Sequence, residues 1–196
     1  YLRDISSLYG AFNRNKKIIT LDFKSKKGKE TLIHLVKKAD VLIESFRPGV
    51  MAKIGLPPTR LLKINRKLIV ASITGFGQKG PNCNRAGHDL NYLSMAGLLN
   101  VIPAQAGIQT LGPRFRGGDM PVIQYADLVG GGLFSALSIL SALYRRGKKG
   151  KGIHLDISMT DSMIFLNLAN LVMAQFSSRS PSPPPSPLGG EGQGEG

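Results

Sequence analysis

Short β-branched runs take turns with segments of helical period along most of this chain, and that alternation restricts the fold more than any other feature. Ile19, Leu21 and Phe23 alternate with polar neighbours, the period-2 pattern of a half-buried strand. Leu32, Ile33, Leu35 and Val36 then fall at helical spacing between Ser25 and Lys38. "ADVLIESF" at 39–46 reads as a short buried strand. "RPGVMAKIG" and the leucines after it read as helical in part, and "KLIVASITGFG" at 67–77 as a strand closed by glycines. Further on, the pattern predicts a helix starting near His88, a long helix over 127–146, a strand in "GIHLDISM" and a last helix over 161–176. Strands joined through helices take right-handed crossovers and build a parallel sheet, so the expected class is α/β with flanking helices. A chain of 196 residues suits one domain with a real core.

The stretch "LVGGGLFSALSILSALY" at 128–144 carries no charge and lies between Asp127 and "RRGKKGK". It is shorter than the roughly 20 residues a bilayer needs. Three glycines also weaken its start. A buried core helix is therefore expected, and no membrane partner. The net charge of +14 attracts polyanions. The basic residues are scattered, however, without zinc-finger spacing, an aromatic-interleaved RNA signature or a basic zipper. They read as solvated faces with a few free to meet phosphates, and no nucleic-acid partner is expected. Cys83 stands alone, which excludes an internal disulfide and offers no metal cluster, so a reducing, cytoplasmic setting is expected. The chain opens on Tyr1 with no secretory pattern, and the missing initiator Met points to a fragment.

Two segments break the pattern. "VIPAQAGIQTLGPRFRGGD" at 101–119 is a polar link punctuated by Gly and Pro, longer than compact domains usually allow without structure of its own. It is either a functional loop or foreign. Residues 177–196 are rich in Ser, Pro and Gly and have Leu188 as their one large apolar side chain, so disorder is expected. Both look like peptides translated from dispersed bacterial DNA repeats, which favours a foreign origin.

The histidine and aspartate in "AGHDLNYLSMAG" at 86–97 sit at the mouth of a helix. Read alone, Asp89 complements the helix dipole and His88 is a neutral partner in a capping arrangement. Asp127, read alone, is an N-cap. Glycines 130–132 are odd in a helix, each costing about 1 kcal/mol against alanine, and close approach by a backbone or a substrate would account for them. "GFGQKGP" lacks the spacing of a Walker phosphate loop and reads as a tight turn. His34 and His154 read as structural.

Six stretches together resemble the family III CoA-transferases of the CaiB/BaiF type, a group that includes the α-methylacyl-CoA racemases. They are "NRNKKIITLDFKSKKGKE" (13–30), "ADVLIESFRPGVMAKIGL" (39–56), "ITGFGQKGP" (73–81), "AGHDLNYLSMAG" (86–97), "ADLVGGG" (126–132) and "GKGIHLDISMTDSM" (150–163). They stand in family order over most of 1–176, so the chain is similar to a partial large domain of that family. The resemblance implies a Rossmann-like sheet that is incomplete here, a homodimer in the complete form, and an acyl-CoA thioester as substrate. Coenzyme A then enters as part of the substrate, with no further cofactor and no metal. The resemblance also matches Thr20, Leu21, Asp22 and Phe23 to nucleotide-binding positions, and 87–92 to pantetheine contacts. Gly87, Asp89, Asn91 and Tyr92 are thus candidate binding residues, with Asp89 either a structural support or a substrate-side contact, and Arg47 in "FRPG" is a candidate phosphate contact.

Within the family, the racemases pair a histidine and an aspartate at positions matching His88 and Asp127. In the transferases, an aspartate matching Asp127 carries the acyl group. The presence of His88 favours racemisation by 1,1-proton transfer, with CoA transfer as the alternative and an inactive fragment as the third outcome. The residue types suit the first reaction. Inverting a carbon next to a thioester removes a proton on one face and returns one on the other, and an imidazole titrates near neutral pH while a carboxylate supplies a second base.

Overall fold

The computed structural model describes residues 9–100 and 124–177, which form two units. The expected inserted loop at 101–119 and the tail from 178 onward lie outside the described residues. The first unit comprises the chain up to Ser72 together with Leu137–Asp156. Helix α1 (Lys26–Lys38) starts where Ser25 Oγ accepts the Gly28 N–H at 3.0 Å, and Lys37 and Lys38 complement the dipole at its end. Strand β1 (Val41–Glu44) follows, then the short helices α2 (Val50–Lys53) and α3 (Pro58–Ile64), the latter opened by a proline in its first turn. Strand β2 (Ile69–Thr74) pairs with β1 in parallel, from Val41 opposite Ile69 to Glu44 opposite Ser72. With β3 (Ile153–Ser158) the sheet order is β1-β2-β3, the α/β class expected from the alternation. The core of this unit gathers Val36, Met51, Leu56, Leu61, Leu68 and Val70 between helices and sheet.

The expected strand at 19–23 does not form. Asp22 turns the chain instead: its Oδ1 accepts the Lys24 N–H at 2.8 Å, while its carbonyl accepts both the Ser25 N–H and the Ser25 hydroxyl. A short polar side chain that bonds its own neighbours competes with a sheet ladder, and here the turn wins. Ile18 and Ile19 remain exposed.

The second unit comprises Ile73–Ala136 and the chain from Ile157. It holds α4 (Asp89–Met95), a single 3₁₀ turn (Leu98–Asn100), a π-helix (Ala126–Leu133), α6 (Met159–Leu166) and α7 (Leu168–Ser177). Helix α5 (Phe134–Lys149) continues the π-helix without a break. Tyr92, Leu93, Ala96, Ala126 and Met163 form this unit's core.

Two expectations about helices need correcting. The predicted single helix over 161–176 starts earlier, at Met159 behind the Ser158 cap, and divides at Asn167. Asn167 is 1% exposed and donates its side-chain amide to the Ala96 carbonyl at 2.8 Å, and satisfying that carbonyl fixes the break. The stretch 128–144 is not a buried core helix either. Leu133, Leu137, Leu140 and Tyr144 recur at helical spacing and are all more than half exposed; only the small residues Gly130, Gly131, Ser135 and Ala142 are buried. The continuous helix Ala126–Lys149 is long and apolar enough, by length and composition, to cross a membrane.

Candidate active site

The site builds outward from the end of β2. The strand stops at Thr74, and Gly75 then turns the chain under the ring of Tyr92. A Cβ placed on Gly75 would stand 2.3 Å from Tyr92 Cε1, and one on Gly87 would stand 2.7 Å from the same atom. The ring is thus held between two glycines, with Phe76 edge-on at 5.2 Å and 81°. Its hydroxyl donates to the Gly87 carbonyl. Gly75 is pinned from the other side, since its carbonyl accepts the Thr160 N–H at 3.0 Å and the Thr160 hydroxyl at 2.7 Å.

This slot fixes the residue before His88, and His88 caps α4 from an extended conformation. Its backbone N–H donates to Asn91 Oδ1 at 2.9 Å, one arm of a capping box, and its imidazole side is exposed. Asp89 follows in the first turn but is 8% exposed. Asp89 Oδ1 accepts the backbone N–H of Asp127 at 2.9 Å, so the starts of α4 and of the π-helix are tied together.

Asp127 occupies the first turn of the π-helix and is half-buried. Burial pushes its carboxyl above the ordinary 3.8, the Asp89 carboxylate pushes the same way, and His88 pulls against both. Tyr92 is likewise raised, first by burial and then by Asp127 and Asp89. The glycine at the middle of this wide coil has a packing cause. A Cβ on Gly130 would meet the Met159 carbonyl oxygen at 3.0 Å, so the glycine admits the start of α6 against the helix. Close approach by a backbone thus accounts for at least one of the three glycines. π-Helical turns are rare and concentrate at functional sites.

His88, Asp127, Gly87, Asp89, Asn91 and Tyr92 are therefore brought together in the second unit. They do not play equal parts: Asn91 and Tyr92 spend their polar atoms on the backbone of 87–88, and Asp89 spends an oxygen on the backbone of 127. The remaining candidates lie in the first unit. Thr20 and Asp22 are exposed, Leu21 and Phe23 half-buried, and Arg47 exposed. Phe23 meets Phe46 edge-to-face at 6.4 Å. Both rings border an open cavity of about 310 Å³ at the end of β1, with Glu44, Leu42 and Met51 in its wall. His154, read as structural, shares a hydrogen bond of 2.9 Å with the fully buried Ser72 Oγ across the sheet. Among the described residues no cluster of His, Cys, Asp and Glu could hold a metal.

Sequence reasoning missed the glycine slot around Tyr92 and an apolar cavity of about 280 Å³ between α4, the π-helix and α6, walled by Leu93, Leu98, Leu99, Val129 and Met163. The first had a signal: Gly75 and Gly87 bracket a loop that returns to an aromatic residue. The second had none, since its walls come from four separate elements, the 3₁₀ turn with Leu98 and Leu99 among them.

The family model for CoA-transferase family III matches residues 2–192. The chain is 40% identical over 167 residues to human alpha-methylacyl-CoA racemase, covering 84% of this chain and 40% of that protein. It is 39% identical over 164 residues to the acetyl-CoA:oxalate CoA-transferase of Acetobacter aceti, covering 84% of this chain and 40% of the relative. Among solved structures, a CaiB/BaiF family protein from Brucella suis superposes with a TM-score of 0.70 at 36% identity, covering 85% of this chain and 41% of the other. A protein of Mycobacterium tuberculosis superposes with a TM-score of 0.74 at 31% identity, covering 93% and 49%. The chain spans about two fifths of the length of the curated relatives it matches.

Proposed function

The chain belongs to CoA-transferase family III, and from that premise we propose that its second unit carries the acid/base pair of an acyl-CoA racemase, His88 and Asp127. One observation supports this reading above the others: Asp127, a half-buried carboxyl whose proton affinity is raised by burial and Asp89 and opposed by His88, is tied through its backbone N–H to the first turn of the helix that His88 caps. A carboxyl of ordinary affinity gives up its proton too readily to return it to carbon; raising the affinity brings it closer to the working pH. In the proposed reaction one of the two groups takes the α-proton of the thioester and the other delivers a proton to the opposite face. The enolate oxygen formed between the two steps needs donors, and the unpaired N–H groups of a helix's first turn are suited to it. Coenzyme A belongs to the substrate, and its nucleotide part is assigned to Thr20, Leu21, Asp22 and Phe23, with Arg47 toward phosphate. In the first unit, the Phe23 and Phe46 rings bordering an open cavity suit a flat base. A cytoplasmic homodimer is part of the same proposal.

A second reading is CoA transfer between carboxylic acids through an acyl group carried on Asp127. The near-equal identities to the racemase and to the oxalate transferase favour keeping it. Incubation with a chiral 2-methylacyl-CoA in deuterated water separates the two. Deuterium at the α-carbon without any acceptor acid is the result expected for racemisation. An Asp127 adduct that appears only with a second carboxylic acid would replace it by transfer, and neither event would leave this chain inactive.

A further inference from the structure

We propose that Asp89 is the positioning residue of this site: its buried carboxylate fixes where the Asp127 carboxyl stands and supplies the negative charge against which that carboxyl works. The inference rests on the reading of Asp127 as an acid/base group. Of the two roles expected for Asp89, structural support and substrate contact, it takes the first, because the side chain is buried.

First-turn aspartates ordinarily complement the helix dipole from the surface, yet Asp89 is 8% exposed. A buried carboxylate needs a partner, and its Oδ1 finds the backbone N–H of Asp127 at 2.9 Å, across 38 residues of sequence. That bond ends on the main chain of Asp127. It therefore orients the residue and leaves the second carboxyl's own oxygens uncommitted to Asp89. A lysine in the same place would have quenched the Asp127 charge; a second carboxylate opposes it.

The groups that face Asp127 from the packed elements are few. Helix α4 presents Asp89, His88 and Tyr92, and α6 has Asp161 as its one charged residue, which is exposed. Asp89 is thus the like charge in the neighbourhood, and its push adds to that of burial.

The test uses the full chain with labelled aspartate carboxyls. Asp89→Asn keeps an oxygen acceptor of the same shape and removes the charge. The Asp127 carboxyl is expected to titrate at lower pH, toward the ordinary 3.8, while burial keeps it from reaching that value. The acid limb of α-proton exchange should follow it downward, with KM changed less than about twofold because no substrate contact is lost. Asp89→Ala removes the anchor as well and is expected to lower turnover about 10²-fold through misplacement. An unchanged Asp127 titration in a folded Asp89→Asn chain overturns the proposal, as does a KM effect without a pH shift. Should Asp89→Asn unfold the chain, Asp89→Ser serves as the neutral variant. Independently of either, the Asp127 amide of the unaltered chain must exchange slowly with solvent, and a freely exchanging amide also overturns the proposal. If no thioester exchange occurs at all, the racemase reading falls while the carboxyl titration still decides the role of Asp89.

Discussion

Replacing Gly75 by alanine tests the slot on which the whole site rests. The added methyl carbon would stand 2.3, 2.5 and 2.6 Å from Tyr92 Cε1, Cζ and Oη, where carbon contacts settle near 3.5–4.0 Å. The ring cannot retreat cheaply, since Gly87 closes its other face and Phe76 its edge. The backbone at 75 is held by Thr160. Forcing a methyl into such packing costs about 1–3 kcal/mol. Losing the Tyr92–Gly87 hydrogen bond adds about 1 kcal/mol, so Gly75→Ala is expected to destabilise the chain by about 2–4 kcal/mol. Urea unfolding at constant m reads this directly. The reasoning makes a sharper claim through a double-mutant cycle with Tyr92→Leu, which removes the three colliding atoms and keeps the inner part of the side chain. In that background the cost of Gly75→Ala should fall below about 0.5 kcal/mol. A small cost in the parent, or the same cost in both backgrounds, would refute the slot.

Asp127 also sets a pH dependence of stability. Its folded carboxyl binds a proton more tightly than the unfolded chain does at 3.8, so stability is fully present below that pH and is lost as pH rises through the folded value. Asp127→Asn should therefore stabilise the chain at pH 7, with the gain vanishing toward pH 3; thermal unfolding at both values checks the sign. Asn167→Leu should cost about 1–3 kcal/mol by stranding the Ala96 carbonyl, measurable by urea unfolding, and should let α6 and α7 merge, visible as added helical circular dichroism. Leu61→Ala, at a position with no exposure, should cost about 2–5 kcal/mol without moving the titration of Asp127, which sits in the other unit.

Elements with their own local cues were readable in the sequence. Ser25 announces α1, the β-branched run 69–74 announces β2, and His88 with Asp89 announces α4. The period-2 pattern at 19–23 misled because Asp22 can bond its own neighbours, a competition that apolar spacing does not register. The π-helix was unreadable for another reason. Over eight residues its apolar pattern looks like that of an ordinary helix, and the backbone its Gly130 lies against, at Met159, is some thirty residues away. His88 and Asp127 were singled out as an acid/base pair only through family resemblance. That Asp89 joins their backbones could not be read from spacing at all.

The unbroken passage from π-helix to α5 gives the chain room to lose a residue near the site. A wide turn holds one residue more than an ordinary turn, so deleting any one of residues 128–132 would give the helix the count it needs to tighten. An ordinary turn with one residue fewer still completes its circle about the axis, so the tightened coil would leave Asp127 on the side of the helix it faces now. A lost codon there would cost the wide turn and spare the carboxyl's direction.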